Sequence, residues 1–235
     1  MYDYEEACPI SRAAQLLCER WTLQIVREMF LGASRFSEFQ KFLPKISPSL
    51  LNSRLKMLCD NGIAIRKRTP EKRGYQYHLT ACGKALKPVL DALGTWGMKW
   101  VFDSRNDVQM DVATLMRDIA ALIDKDQLPD CETVLQFTLT DIDEPRKHFV
   151  LVKSDSCESC EQNPGYDVDV YFRSTLSDLS AVWWGETHIS TAIDTGRMKV
   201  SGSPAYTRNV SRWFPTSSYA DNNPRATATA ERRFS

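Results

Sequence analysis

Ser49, Asn52, Ser53 and Lys56 recur at three- and four-residue spacing, and none of them is apolar. On a helix, that spacing gathers them on one polar face. Hydroxyl, amide and ammonium groups so arranged can bond the base edges that a DNA major groove exposes. Arg54 lies on or beside this face, and Ser47 is a candidate N-cap with Pro48 at the first helical position. Leu51, Leu55 and Leu58 make a separate apolar stripe that would seat the helix on a core. Asn61-Gly62 can close the helix through a left-handed residue. Strands are expected at 63–69 and 75–79, joined by a loop that carries Lys72 and Arg73. The first strand contains Arg66-Lys67-Arg68. Cations on a hairpin beside a polar-faced helix suit phosphate contact, with the helix reading bases and the hairpin holding the backbone. Stretch 35–83 thus reads as two helices across a tight turn followed by a basic wing, a winged helix-turn-helix.

Two cysteine positions invite other chemistry. Cys8 precedes Pro9, so its thiol stands at a helix N-cap, where free amides and the helix dipole favour thiolate. It is either a reactive thiol or the small inert residue that free cysteine usually is. Cys157 and Cys160 have the spacing of half a zinc site or a redox pair. No second such pair exists, and no helix follows to lower a thiol pKa, so a loop tip or labile disulfide is expected. His148 and His188 could join a metal only through folding, and no metal or other cofactor is expected. Three histidines, no nucleophile–base pattern and no glycine-rich phosphate loop argue against an enzyme.

Charge then divides the chain. The whole protein is neutral, with 30 basic and 30 acidic residues, yet residues 1–100 hold 16 Lys or Arg against 9 Asp or Glu. Residues 101–235 hold 14 against 21. A basic half suited to a polyanion is thus joined to an acidic half that a polyanion would repel. A length of 235 residues fits two domains. Residues 1–6 are acidic with no apolar core after them, and no run of 18 apolar residues occurs, so neither a signal peptide nor a membrane span is expected. Seven scattered cysteines suggest a reducing cytoplasm.

The supporting elements follow from periodicity. Residues 9–32 read as two helices broken near Trp21. Thr80 reads as the N-cap of one long helix, 81–102, whose apolar residues Leu86, Val89, Leu90, Leu93, Trp96, Trp100 and Val101 form a stripe wanting a partner. A homodimer through that helix is expected. Residues 104–128 are expected to bridge the halves, with a helix over 108–128. Beyond Pro129 the alternation changes to strands at 132–140, 147–153 and 167–173, helices at 177–184 and 187–193, a strand at 198–201 and one helix over 203–214. Residues 216–235 are polar and expected to be a disordered tail.

The ordered set Cys8-Pro9, Trp21-Thr22-Leu23, Arg35-Phe36-Ser37-Glu38-Phe39, Ile46-Ser47-Pro48, Arg54-Leu55, Asn61-Gly62-Ile63, Leu79-Thr80 and Trp96-Gly97 resembles the HxlR family of bacterial transcription regulators, relatives of the MarR group. The resemblance implies a dimeric winged-helix regulator over 1–103, with 48–61 as recognition helix and double-stranded DNA, a two-fold-related operator, as partner. In that family a cysteine before this proline serves some members as a redox sensor, and Cys8 matches the position. Asp169-Val170-Tyr171-Phe172, Leu176-Ser177-Asp178-Leu179, Trp184-Gly185 and Met198-Lys199-Val200-Ser201-Gly202-Ser203 resemble a sterol-carrier-type lipid-binding domain. That implies an α+β domain over 129–215 enclosing an apolar ligand. Phe172, Leu179, Trp183, Trp184 and Ile189 are its candidate ligand contacts. The expected fold is therefore multi-domain, a mainly-α winged helix-turn-helix followed by an α+β sterol-carrier-like domain. The leading reading is a DNA-binding regulator that senses an apolar small molecule or lipid. A thiol-switched regulator using Cys8 with a structural C-terminal half is the first alternative, and a lipid carrier is another.

Overall fold

The computed structural model describes residues 7–68, 74–102, 111–130, 132–143 and 147–226. The chain divides into two compact units, 1–93 and 94–235.

In the first unit, helices α1 (Pro9–Leu17) and α2 (Thr22–Phe30) meet at Trp21, which takes a left-handed conformation with φ of 77°. That backbone costs about 1–2 kcal/mol for a residue with a side chain. Packing of the half-buried indole against the core offsets it. Helix α3 (Phe36–Phe42) is capped by Glu38, whose carboxylate accepts from the amides of Ser34 at 2.7 Å and Arg35 at 2.9 Å. Helix α4 (Pro48–Asp60) follows, with Ser47 accepting from the Leu50 amide at 3.3 Å. Leu51, Leu55 and Leu58 are fully buried with Ile25, Val26 and Phe39. At roughly 1.5–3 kcal/mol per side chain, this burial holds α4 in place. Strands β1 (Ala64–Arg68) and β2 (Tyr75–Leu79) form an antiparallel wing.

The single helix expected from Thr80 is two. Thr80 does cap the first, α5 (Ala81–Lys84), accepting from the Gly83 amide at 3.1 Å. The second, α6 (Lys87–Trp100), restarts because Pro88 has no amide hydrogen for the Lys84 carbonyl. A Cβ on Gly83 would lie 2.1 Å from the Ile63 carbonyl oxygen, so only glycine lets α5 approach the wing this closely.

The second unit begins its core with α7 (Val112–Leu122), capped by Asp111. Strands β3 (Thr133–Leu139), β4 (Lys147–Val152), β5 (Cys157–Cys160) and β6 (Val170–Ser174) come next. Helices α8 (Leu176–Trp183) and α9 (Ile189–Asp194) precede β7 (Met198–Gly202), then α10 (Pro204–Thr207) and α11 (Val210–Trp213). The sheet order is β5-β4-β3-β6-β7, with β3 and β6 parallel and every other pair antiparallel. One face packs on the helices through Leu115, Met116, Ile119, Leu135, Phe137 and Phe172. This is an α+β domain.

Four expectations are corrected. The helix expected over 108–128 runs, among the described residues, over Val112–Leu122 and packs its buried side chains into the sheet's own core, while residues 103–110 of the expected bridge lie outside the described residues. The 203–214 helix is two short ones, interrupted at Asn209. Cys157 and Cys160 stand on an edge strand rather than a loop tip. The chain from 216 to 226 is not a disordered tail. Ser217, Ala220 and Asn223 are buried, the Ser217 amide donates to the Trp183 carbonyl at 2.7 Å, and Asn223 Nδ2 donates to the Trp184 carbonyl at 2.9 Å. Hydrogen bonds to the carbonyls that end α8, together with burial of Ala220, order this largely polar stretch. Residues 227–235 lie outside the described residues.

Candidate nucleic-acid interface and apolar interior

On α4, the buried leucines leave Ser49, Asn52, Ser53 and Lys56 facing solvent, with Ser47 exposed at the helix start. The helix N-terminus adds free amides and a partial positive charge at the same end. The structure thus brings together five of the candidates on one accessible surface. Lys45, exposed in the turn two residues before the cap, adjoins them. Its place beside a Ser-Pro helix start was the signal available for it.

Arg54 is held by the protein itself. Its guanidinium pairs with Glu19 at 2.7 Å and donates through Nε to the Arg20 carbonyl at 3.0 Å, and its side chain is 16% exposed. These bonds tie α4 to the turn before α2 and give Arg54 a role in holding the recognition helix in place. On the wing, strand alternation separates the basic run. Arg66 and Arg68 share a face with Tyr75, while Lys67 lies on the other with Ile65. The Arg66 guanidinium stacks 4.0 Å from the centre of the Tyr75 ring, which orients it without neutralising it. Lys72 and Arg73 lie outside the described residues.

Cys8 is exposed and occupies the N-cap of α1. Its thiol makes no capping hydrogen bond. The amide of Ser11 and then that of Ile10 nevertheless lie close enough, with the Ser11 hydroxyl, to hold its pKa below the ordinary thiol value. Burial pushes the thiols of Cys59 and Cys157 up instead. Cys157 and Cys160, three apart on β5, point to opposite faces of the sheet, so they cannot join in one zinc site or one disulfide. His148 is buried on β4, and His188 caps α9 with Nδ1 2.7 Å from the Ser190 hydroxyl. Among the described residues, no three metal-ligating groups converge.

Phe172, Leu179, Trp183 and Ile189 are buried in one cluster, and the half-buried Trp184 packs against it. Phe172 stacks on Phe137 with centroids 4.7 Å apart and rings 8° from parallel. Trp184 lies 4.7 Å from Phe102 and 6.2 Å from Trp183. Two polar groups in this interior contrast. The Trp213 indole donates to the Tyr206 carbonyl at 3.1 Å, whereas the Trp183 indole nitrogen is buried without a hydrogen-bond partner among the described residues. Tyr206 donates to Asp130 at 2.7 Å, and burial above all pushes its hydroxyl up to about 12.

A helix with a polar outward face beside a basic two-stranded wing defines the first unit as a DNA-binding winged helix-turn-helix. Residues 16–105 match the HxlR-like helix-turn-helix family, and residues 112–215 match the SCP-2 sterol transfer family. The chain is 38% identical to the uncharacterised HTH-type transcriptional regulator YvaP of Bacillus subtilis, over 42% of this chain and 94% of that protein. It is 36% identical to a second uncharacterised HTH-type regulator, sll1512 of Synechocystis sp., over 43% of this chain and 75% of that one. The reduced form of the transcriptional regulator YodB from B. subtilis is similar at 34% identity, with 41% of this chain and 96% of that chain covered and a TM-score of 0.37. This chain belongs to the HxlR family of transcriptional regulators, and it carries an SCP-2-type domain after its DNA-binding domain. Among the described residues, no helix is long and apolar enough to cross a membrane.

Proposed function

We propose that this chain is a homodimeric, operator-binding regulator of the cytoplasm whose C-terminal domain takes an apolar small molecule as its signal. The carrying observation is the exposed face of Ser49, Asn52, Ser53 and Lys56 on α4, backed by three fully buried leucines. Dimerisation is supported by α6, where Val89, Leu93, Trp96 and Trp100 stand exposed at spacings of four, three and four. That is the seam one helix offers another. The ligand reading is supported by the SCP-2 match and by the orphaned Trp183 indole. An unmet buried donor costs about 1–3 kcal/mol, which an apolar molecule with one acceptor oxygen would recover. Such a ligand controls DNA affinity only by binding the free and DNA-bound forms unequally.

Gel shift on the operator and on a random duplex tests the DNA-binding face. Asn52→Ala should weaken operator binding roughly 5- to 150-fold, the 1–3 kcal/mol of a lost base contact, and leave the random duplex unchanged. Arg54→Ala should instead lower the unfolding free energy by about 1–2 kcal/mol with the partly buried Glu19 pair gone. Equal loss of both duplexes in Asn52→Ala would remove α4 from sequence readout.

A second reading, a thiol switch, is favoured by the lowered pKa of the exposed Cys8. Its thiolate forms as pH rises through a value below the ordinary thiol range, while Cys59 and Cys157 need a higher pH. Cys8 should therefore alkylate fastest of the three at pH 7, and Cys8→Ser should abolish oxidant-dependent release of DNA. Release surviving in Cys8→Ser would end this reading.

A further inference from the structure

The outer face of the C-terminal sheet carries a feature that an apolar-ligand domain does not need. Lys147 on β4 registers with Thr138 on β3, Thr138 with Arg173 on β6, and Arg173 with Lys199 on β7. One row across four adjacent strands thus holds three cations, all exposed. Their strand-alternation partners point the other way: Phe172 and Met198 are buried in the core. The next row, Phe149, Gln136, Tyr171 and Ser201, holds no acid: Phe149 is buried, the Gln136 amide donates to the Thr138 hydroxyl at 3.2 Å, and Tyr171 is 43% exposed.

Among the described residues, none of the three cations makes an ion pair. Arg173 and Lys199 stand directly opposite each other on antiparallel strands, where like charges destabilise the pairing. They do so in a half of the chain that holds 21 acidic residues against 14 basic ones. An uncompensated cation pair, flanked by a third and by neutral donors, lacks an anion. Strands lie ~4.8 Å apart, so the row extends over ~15 Å. Duplex DNA presents one phosphate per ~3.4 Å of axis on each strand, so the row can meet several in succession. A lipid surface is the poorer match, because the apolar side chains on this face, Phe149 in the second row with Val134 and Leu151 beyond it, are buried and cannot insert beside the charges.

We propose that this sheet face is a second DNA-backbone contact, which binds phosphates outside the segment read by α4 and adds no sequence preference. The proposal rests on the operator-binding reading above. Backbone contacts of this kind position and tighten a complex without specifying bases.

The test uses the full-length protein and two duplexes, one limited to the operator and one extended by ~10 base pairs at each end. Lys147→Ala, Arg173→Ala and Lys199→Ala are combined in one variant. The wild type should bind the extended duplex more tightly and with a steeper log–log salt dependence. The triple variant should lose that difference, with the slope flattened by up to ~2.7 per protomer, at roughly 0.9 per phosphate. Its affinity for the short duplex should stay unchanged. Because like charges are removed, its melting temperature should be equal or higher. The charge-conserving pair Arg173→Lys and Lys199→Arg should keep the wild-type slope. Wild-type slope in the triple variant on the extended duplex would overturn the sheet contact while leaving operator binding intact. So would a loss confined to anionic phosphatidylserine vesicles, which would assign the row to membranes. Failure of the wild type to bind either duplex would overturn the operator reading, and the sheet contact with it.

Discussion

Phe172→Ala should destabilise the C-terminal unit by about 3–5 kcal/mol, the usual cost of removing a buried phenyl ring. Phe172 is 1% exposed and sits where four rings meet. It stacks on Phe137, meets Trp213 edge-on at 5.9 Å and 82°, and lies 5.3 Å from Phe214. Each such aromatic contact adds roughly 0.5–1.5 kcal/mol beyond burial, and the flat stack leaves little scope for the neighbours to collapse into the gap. Urea unfolding of the full chain, followed by tryptophan fluorescence, reads the loss directly because Trp213 faces the site. A loss under about 1 kcal/mol would mean that the interior around Phe172 is not close-packed. The same variant examines ligand entry. A cavity lined by Phe137, Trp213 and Phe214 is apolar, and an apolar ligand that binds the folded form should restore part of the stability in proportion to its concentration. If the ligand instead enters beside Trp183 and Trp184, Phe172→Ala should leave its affinity largely unchanged.

What the sequence disclosed was local, and what it hid was mostly long-range. Ser47-Pro48 start α4 as spacing and capping chemistry require, and the Leu51, Leu55, Leu58 stripe is buried as its period demands. The ion pair of Arg54 was not legible because its partner Glu19 is 35 residues away, and helical spacing carries no trace of such a contact. Lys67 was grouped with Arg66 and Arg68, although a period of two turns it to the other side of the wing. The break before α6 was written in Pro88, but the longer apolar stripe outweighed it. Strand β5 has almost no apolar alternation, since an edge strand is made by the ladder that its neighbour β4 offers. Segment 216–226 looked disordered by composition, yet its order comes from bonds to the end of α8 that composition does not encode. The cation row was equally hidden, because Lys147, Arg173 and Lys199 are scattered in sequence and meet only through sheet register.

Replacing both Trp96 and Trp100 by Glu should convert the protein to monomers. Trp96 is 56% exposed and Trp100 67%, with Val89 and Leu93 continuing the same stripe. A partner covering the exposed part of each indole would bury ~150 Å² apiece, or roughly 4 kcal/mol of gross hydrophobic stabilisation per ring. Association costs consume part of this, so about 2 kcal/mol net per ring is a fair expectation for a central aromatic contact. A two-fold interface counts every substitution twice, and two rings on each side then weaken the dimer by at least ~10³-fold even if half the effect is lost to non-additivity. Four glutamates brought together would repel one another and add to the loss. Analytical ultracentrifugation across micromolar concentrations measures this, and circular dichroism should show unchanged helix content because both side chains already face solvent. Operator affinity should fall with the dimer, since two recognition helices fixed one turn of DNA apart bind a palindrome jointly and a lone one meets only a half-site. A variant that remains dimeric with its wild-type dissociation constant would place the interface elsewhere. A wild type that is monomeric at tens of micromolar would show that this stripe does not pair with a second copy, and the operator would then not be two-fold.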